Sequence, residues 1–241
     1  MSSIVTESVD YVDGDVTCEG FLARDDTRSG PRPCVLLAHD WSGRLAHIDE
    51  LTEGLAELGY VGFALDVYGK GVRGEIAGDN SGLMNPFLAD RAMLARRLKA
   101  GLAAARAHEA VDPARVAVVG YCFGGLCALD LARSGVEGLR GAVSIHGVLG
   151  PPGLGTQGPI SASVLVLHGW EDPLAPPDAV LALARELTEA GADWQLHAYG
   201  HAMHAFTAPG LNFPERGIAY NAPADRRSRA AMRQFLEEVL A

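Results

Sequence analysis

The chain has 241 residues, 48% hydrophobic and 21% charged, with 20 Lys and Arg against 30 Asp and Glu, a formal net charge of −10. A chain of this size can bury a large core without disulfide or metal staples. Its acidic balance argues against nucleic-acid and anionic-membrane partners, which both require a positive field. An anionic small substrate stays open, because one arginine in a pocket outweighs the global charge. The cysteines at 18, 34, 122 and 127 include no C-x-x-C pair, and no metal spacing is present. The opening MSSIVTESVDYVDGD has neither the basic nor the apolar region of a secretory signal. No run approaches the roughly 18–20 apolar residues of a membrane span. Free thiols in a cytoplasmic protein, with no membrane attachment, are the expectation.

In chain order, "TESVDYV" and "VTCEGFLA" flank Asp13-Gly14-Asp15 and predict a β-hairpin. "PCVLLAH" (33–39) is a continuous apolar strand. Residues 45–59 place Leu45, Ile48, Leu51, Leu55 and Leu58 on one helical face and stop at Gly59. "YVGFALDVYG" reads as another buried strand, and the Gly-rich, polar 69–82 stretch as a loop, either plain surface or the rim of a pocket. Residues 88–108 predict one long amphipathic helix, "ARVAVVG" a strand and "FGGLCALDLARSG" a helix ending at Gly135. Two apolar strands follow, "LRGAVSIHG" and "ASVLVLHG", with an irregular connection at 149–159 between them. A helix at 177–191, the strand "DWQLHAYG" and a final helix from Asp225 complete the chain. Apolar strands alternating with helices predict a mostly parallel sheet covered on both faces. With no linker or repeat in view, residues 1–241 are expected to form a single α/β domain.

The chemistry gathers where strands end. In "RVAVVGYCFGG" a strand runs into Gly120-Tyr121-Cys122-Phe123-Gly124 and then into a helix. This is the nucleophile-elbow pattern with cysteine in the place of serine. Gly120 and Gly124 let the turn close, and Cys122 is expected on a strained backbone at a helix amino end, where dipole and free N–H groups favour a thiolate. After the next-but-one strand, "WEDPLAPPD" offers Glu171 and Asp172, and the G-x-x-D-P spacing favours Asp172. After the last strand, "HAMHAF" offers His201 and His204. Nucleophile, acid and histidine thus follow one another in the order of this architecture. The oxyanion hole is expected from the N–H of Phe123 and one from Asp40 or Trp41, in the loop after "CVLLAHD". His39, His146 and His168 end apolar strands and are expected to hold loops. Tyr121 either lines the pocket or packs beneath it, and Tyr68 is a pocket candidate. His197, His201 and His204 lie in a strand and loop without an H-E-x-x-H pattern, so neither metal nor other cofactor is expected.

"LLAHDWSG", "YGKG", "GYCFGG", "HGWEDP" and "YGHAMHAF" together resemble the dienelactone hydrolase family of α/β-hydrolases, over nearly the whole chain from about residue 10. The resemblance implies a cysteine hydrolase that opens enol-lactones or cleaves esters through a thioester intermediate. By its histidine motif, Y-G-x-x-x-H-x-F, it selects His204 over His201. By position it makes Asp40 the carboxylate that modulates the thiol, a place where the family commonly has glutamate, and gives Trp41 the second oxyanion N–H. One departure bears on substrate. The best-known members carry an arginine soon after the catalytic histidine, whereas "HAFTAPGLN" has none before Arg216. Arg73 and Arg91 stand where the family has other substrate-facing groups, and Arg91 is taken with Tyr68 and Tyr121 as a substrate-binding candidate.

A thiol nucleophile favours activated esters and lactones over amides, since thiolate leaves more readily than most alkoxides or amines. The expectation is a Cys122–His204–Asp172 hydrolase of a small ester or lactone, monomeric or a small homo-oligomer. The alternatives are an esterase or thioesterase for unrelated acyl groups, a redox-sensing thiol protein, and a non-enzymatic binding module.

Overall fold

The computed structural model describes residues 3–241. Strands β1 (Ile4–Asp13) and β2 (Val16–Asp25) form the expected hairpin, paired from Ile4–Asp25 to Asp13–Val16. Gly14 takes the left-handed turn position, φ +60°, that a side chain would strain. Next come β3 (Arg32–Ala38), β4 (Val61–Ala64), β5 (Val111–Tyr121), β6 (Leu139–Ile145), β7 (Ser163–Gly169) and β8 (Trp194–Tyr199), all parallel to one another. The sheet order is β1-β2-β4-β3-β5-β6-β7-β8, with β2 antiparallel to β4.

Among the described residues, six helices connect and cover the sheet: α1 (Ala46–Glu57), α2 (Ser81–Ala89), α3 (Arg91–Ala107), α4 (Phe123–Arg133), α5 (Pro177–Glu189) and α6 (Ala222–Val239). Successive strand residues point to opposite faces. Val35 and Leu37 therefore pack with Ile48 and Leu55 of α1 and Phe235 and Leu236 of α6. Leu36, between them, packs into the opposite layer with Leu94 and Leu98 of α3, Leu126 of α4 and Leu183 of α5. Each such buried leucine contributes about 1.5–3 kcal/mol. Burial on both faces is why these strands read as unbroken apolar runs. The chain has the α/β-hydrolase fold, and its loops at the carboxyl ends of β3, β5, β7 and β8 carry the residues singled out above.

Three elements differ from the sequence reading. The helix expected over 88–108 is two, broken at Asp90, whose carboxylate caps α3 by accepting the Met93 N–H at 2.8 Å. The polar loop accordingly ends at Asn80, and α2 carries Pro86 within it. Beyond His204, β9 (Asn212–Phe213), a 3₁₀ turn (Pro214–Arg216) and β10 (Ile218–Ala219) form a small hairpin too short for periodicity to reveal. The four cysteines are free thiols. Among the described residues no helix is long and apolar enough to cross a membrane.

Candidate active site

Cys122 is the single residue between β5 and α4, with φ 57° and ψ −116°. A non-glycine residue in this region stores on the order of 1–3 kcal/mol of strain and persists only where its surroundings over-determine it. Here Cys122 N–H donates to Ile145 O at 3.1 Å, and Cys122 O accepts from Gly125 N–H at 3.0 Å. The glycines are sterically forced. A β-carbon on Gly120 would strike the Gly124 carbonyl, and one on Gly124 the carbonyl of Ala38. A β-carbon on Gly125 would come within 2.8 Å of Ser144 Oγ and of the Gly147 Cα.

The structure brings the three strand-end residues together. His204 Nε2 is 3.1 Å from Cys122 Sγ, and His204 Nδ1 is 2.8 Å from Asp172 Oδ2. Asp172 Oδ1 accepts the Leu174 N–H at 2.8 Å, which holds the carboxylate plane. Burial of the His204 ring opposes its charge. The negative sulfur and the hydrogen bonds to Asp172 and Cys122 outweigh it and push the pKa up to about 10. The raised value favours the protonated imidazole, the form that can hand a proton to a leaving group. The two ambiguities of the sequence separate cleanly. His201 and Glu171 pair with each other at 2.9 Å on the surface, while His204 and Asp172 pair in the interior.

The short hairpin that the sequence concealed holds His204 in place. His204 N–H donates to Gly217 O at 2.9 Å, and His204 O accepts from Ala219 N–H at 3.2 Å. Gly217, in the left-handed region, rests on the Pro173 ring, so the histidine and acid loops are joined through this contact.

The loop after β3 is organised by Asp40. Its Oδ1 accepts the Ser42 N–H at 2.8 Å and the Ser42 hydroxyl, and its Oδ2 lies 2.8 Å from His47 Nε2. Both carboxylate oxygens are engaged within their own loop and α1; the hydrogen-bond partner of Cys122 Sγ is His204. The shorter side chain of aspartate, captured by Ser42 and His47, accounts for this placement. Burial raises the Asp40 pKa, but the hydrogen bonds from His47 and Ser42 win and hold it below its ordinary value. The bond to Asp40 raises that of His47. The His47 contribution to stability is thus complete below its ordinary pKa of about 6.5. It fades as pH climbs through the raised folded value. The difference in thermal midpoint between wild type and His47→Gln should accordingly be largest near pH 5.5 and shrink by pH 9. A pH-independent difference would remove the ion pair as its source.

Among the described residues, Trp41 and Phe123 donate their backbone N–H groups to no backbone acceptor. His39 beneath them has Nδ1 at 2.7 Å from Asp40 O and Nε2 accepting the Val67 N–H at 3.1 Å. Those partners require a neutral ring protonated on Nδ1. Tyr68 donates its hydroxyl to Trp41 O at 2.9 Å and stacks on Phe123 with centroids 6.0 Å apart.

Tyr121 packs beneath the site, in the layer of α1 and α6, with its ring 5.9 Å from that of His146. Arg91 is taken up by Asp130, with Nε and Nη2 at 2.7 and 2.6 Å from its two oxygens. It lines a cavity of about 670 Å³ between α3, α4, α5 and the 149–158 loop whose lining includes none of Cys122, Asp172 and His204. Sequence reading gave His146 only a loop-holding role. Its buried ring stands edge-on to His204 with centroids 5.2 Å apart, and its Nε2 is 2.8 Å from Thr207 Oγ1. Burial and the neighbouring His204 charge push its pKa well below the ordinary value, so it stays neutral. Its positive φ of 38° was the missing signal, and no sequence pattern encodes it. Among the described residues no group of three or more His, Cys, Asp or Glu could hold a metal ion.

The sequence profile of the dienelactone hydrolase family matches residues 18–240. The chain belongs to the dienelactone hydrolase family. It is similar to the crystal structure of a dienelactone hydrolase-like promiscuous phosphotriesterase from metagenomic libraries, with 36% identity, TM-score 0.92 and coverage of 99% of this chain and 100% of that one. A protein of Aquifex aeolicus named as a putative carboxymethylenebutenolidase is 25% identical over 204 residues, 83% of this chain and 86% of that one. An acetyl xylan esterase from Paenibacillus sp. R4, at 20% identity and TM-score 0.71, covers 99% of this chain and 85% of its own and shares the fold. The family, fold and hydrolase class expected from the motifs therefore hold.

Proposed function

We propose that this dienelactone hydrolase family member is a cysteine-dependent hydrolase of lactones and activated esters that works through a thioester acyl-enzyme. The continuous contact from Cys122 Sγ to His204 to Asp172 carries the reading. Cys122 Sγ attacks the carbonyl carbon, and the oxygen that gains charge is received by the N–H groups of Trp41 and Phe123. The C–O bond then breaks, and the leaving alkoxide takes the proton of His204 Nε2. In the second half His204 removes a proton from water, the oxygen attacks the thioester, and the C–S bond breaks. Thiolate and imidazolium are restored. Asp172 holds the imidazole tautomer and its charge throughout. Asp40 acts on the thiol through the loop that carries the Trp41 N–H. The reaction takes a small-molecule ester or lactone and one water.

The similarity to the metagenomic phosphotriesterase, at 36% identity across nearly the whole chain, supports a neutral phosphotriester as a second electrophile for the same sulfur. The test is intact-mass analysis during turnover of p-nitrophenyl acetate. A burst of nitrophenol with a mass gain of one acetyl group on Cys122 is expected, followed by decay to free enzyme. Turnover without that adduct would overturn the thioester route. Alkylation of Cys122 without turnover of any ester would favour the redox-sensing reading.

A further inference from the structure

His146 takes no part in the proton transfers, yet its position is costly in two ways. Its backbone lies in the left-handed region at φ 38°, a conformation that costs a residue with a side chain about 1–3 kcal/mol. Its Nδ1 is buried and has no hydrogen-bond partner among the described residues, a loss of about 1–3 kcal/mol more. Costs of this kind collect at functional sites.

The same residue ties the turn of the nucleophile to the loop of the histidine. The Ile145–His146 peptide is gripped on both sides. Ile145 O accepts the Cys122 N–H at 3.1 Å, and His146 N–H donates to Leu167 O at 2.9 Å. The side chain then crosses to the loop after β8. Its ring stands 5.2 Å from that of His204 at an interplanar angle of 67°, and 5.2 Å from that of Phe206 at 83°. Its Nε2 is anchored 2.8 Å from Thr207 Oγ1. Edge-to-face pairs of this kind contribute about 0.5–1.5 kcal/mol each beyond their buried area. The contacts of His204 with Asp172 and Cys122 are made by its two ring nitrogens, so they act in the ring plane. A ring set at 67° acts across that plane, the direction those contacts restrain least. Burial keeps His146 uncharged, so it adds no repulsion when His204 is protonated.

We propose that His146, anchored by Thr207, is a positioning residue that fixes the plane of the His204 imidazole, and with it the aim of Nε2 at the sulfur and at the leaving oxygen. The inference rests on the hydrolase reading above, and the test separates the two. The leaving oxygen takes its proton from His204, so a tilted ring is felt most with the more basic leaving group. kcat/KM is measured for p-nitrophenyl acetate and for phenyl acetate, whose leaving oxygen is the more basic, with wild type, His146→Ala, His146→Gln and His146→Phe. His146→Ala is expected to lose about 10-fold on p-nitrophenyl acetate and several-fold more on phenyl acetate, because a misplacement of about 1 Å can cost about 10²-fold. His146→Gln keeps an amide for Thr207 but no ring, and is expected to lose as much. His146→Phe keeps the ring without the hydrogen bond and is expected to recover most of the loss. Equal losses on the two esters would mark a merely structural residue and overturn the proposal. So would an active His146→Gln beside an impaired His146→Phe, or wild-type activity in all three. Thr207→Val releases the anchor without altering the backbone at 146, which keeps the proposal open to refutation should the His146 variants fail to fold. It is expected to depress phenyl acetate turnover more than p-nitrophenyl acetate turnover, and a wild-type ratio overturns the proposal while leaving the hydrolase reading standing. A wild type inert on both esters overturns both.

Discussion

Replacing His204 with alanine is expected to lower kcat for p-nitrophenyl acetate by about 10²–10⁴-fold, the range that general acid–base groups contribute. Both halves of the reaction lose their proton carrier: the leaving group departs unprotonated, and water meets the thioester without a base. The proton inventory gives this variant a second signature. His204 is held charged up to about pH 10 by the sulfur and Asp172, despite the burial that opposes it. That ring lies 3.1 Å from Cys122 Sγ, where it can activate the sulfur as a nucleophile. Alkylation of Cys122 by iodoacetamide should therefore slow markedly in His204→Ala at pH 7 and approach the wild-type rate near pH 10. A variant that only damaged the fold would alter the rate at both pH values. Asp172→Asn should reduce kcat less directly, by releasing Nδ1 and allowing the wrong tautomer. If His204→Ala retains both turnover and neutral-pH alkylation, the 3.1 Å contact with Cys122 is incidental and the triad reading fails.

What the sequence made legible was what local spacing encodes. The apolar runs of β3, β5 and β7 announced strands buried on both faces, and the glycines around Cys122 announced the turn. The order of Cys122, Asp172 and His204 pointed to a candidate site, and the fold brings those three side chains into contact. What stayed hidden depends on contacts between distant segments. His146 reaches His204 only because β6 ends beside the elbow, and its neutral ring is a product of burial. The hairpin gripping His204 has strands of two residues each, below the reach of periodicity. Asp40 was visible as a carboxylate near the oxyanion loop, but its capture by His47 needed the first turn of α1 to come round beside it. Arg91 shows the reverse limit. In sequence it is an unattached cation in the right region; in the fold its charge is consumed by Asp130, on the helix that follows the nucleophile.

Gly124→Ala is expected to destabilise the protein by at least about 3 kcal/mol or to prevent soluble expression, at the severe end for a single methyl group. The added carbon would enter the carbonyl of Ala38 at the end of β3, with the carbonyl of His39 at 2.9 Å. Both obstacles are backbone, one at the end of β3 and one in the loop that follows it, so no rotamer change can make room. Gly120→Ala meets the same difficulty from the other side of the turn, against Gly124 itself. Gly54 provides the contrast. It lies within α1, where an added β-carbon would meet nothing within 4 Å. Gly54→Ala should therefore raise stability by about 0.5–1 kcal/mol, the intrinsic cost of glycine in a helix. For a domain of this size, about 1 kcal/mol moves the thermal midpoint by roughly 2–4 °C. The two variants should then differ in midpoint by about 7 °C or more, with wild type between them. A Gly124→Ala protein that melts with wild type would mean that the elbow has slack. Close contact would then no longer explain why Cys122 is held at φ 57°, and the strain that lifts its thiol toward His204 would need another origin.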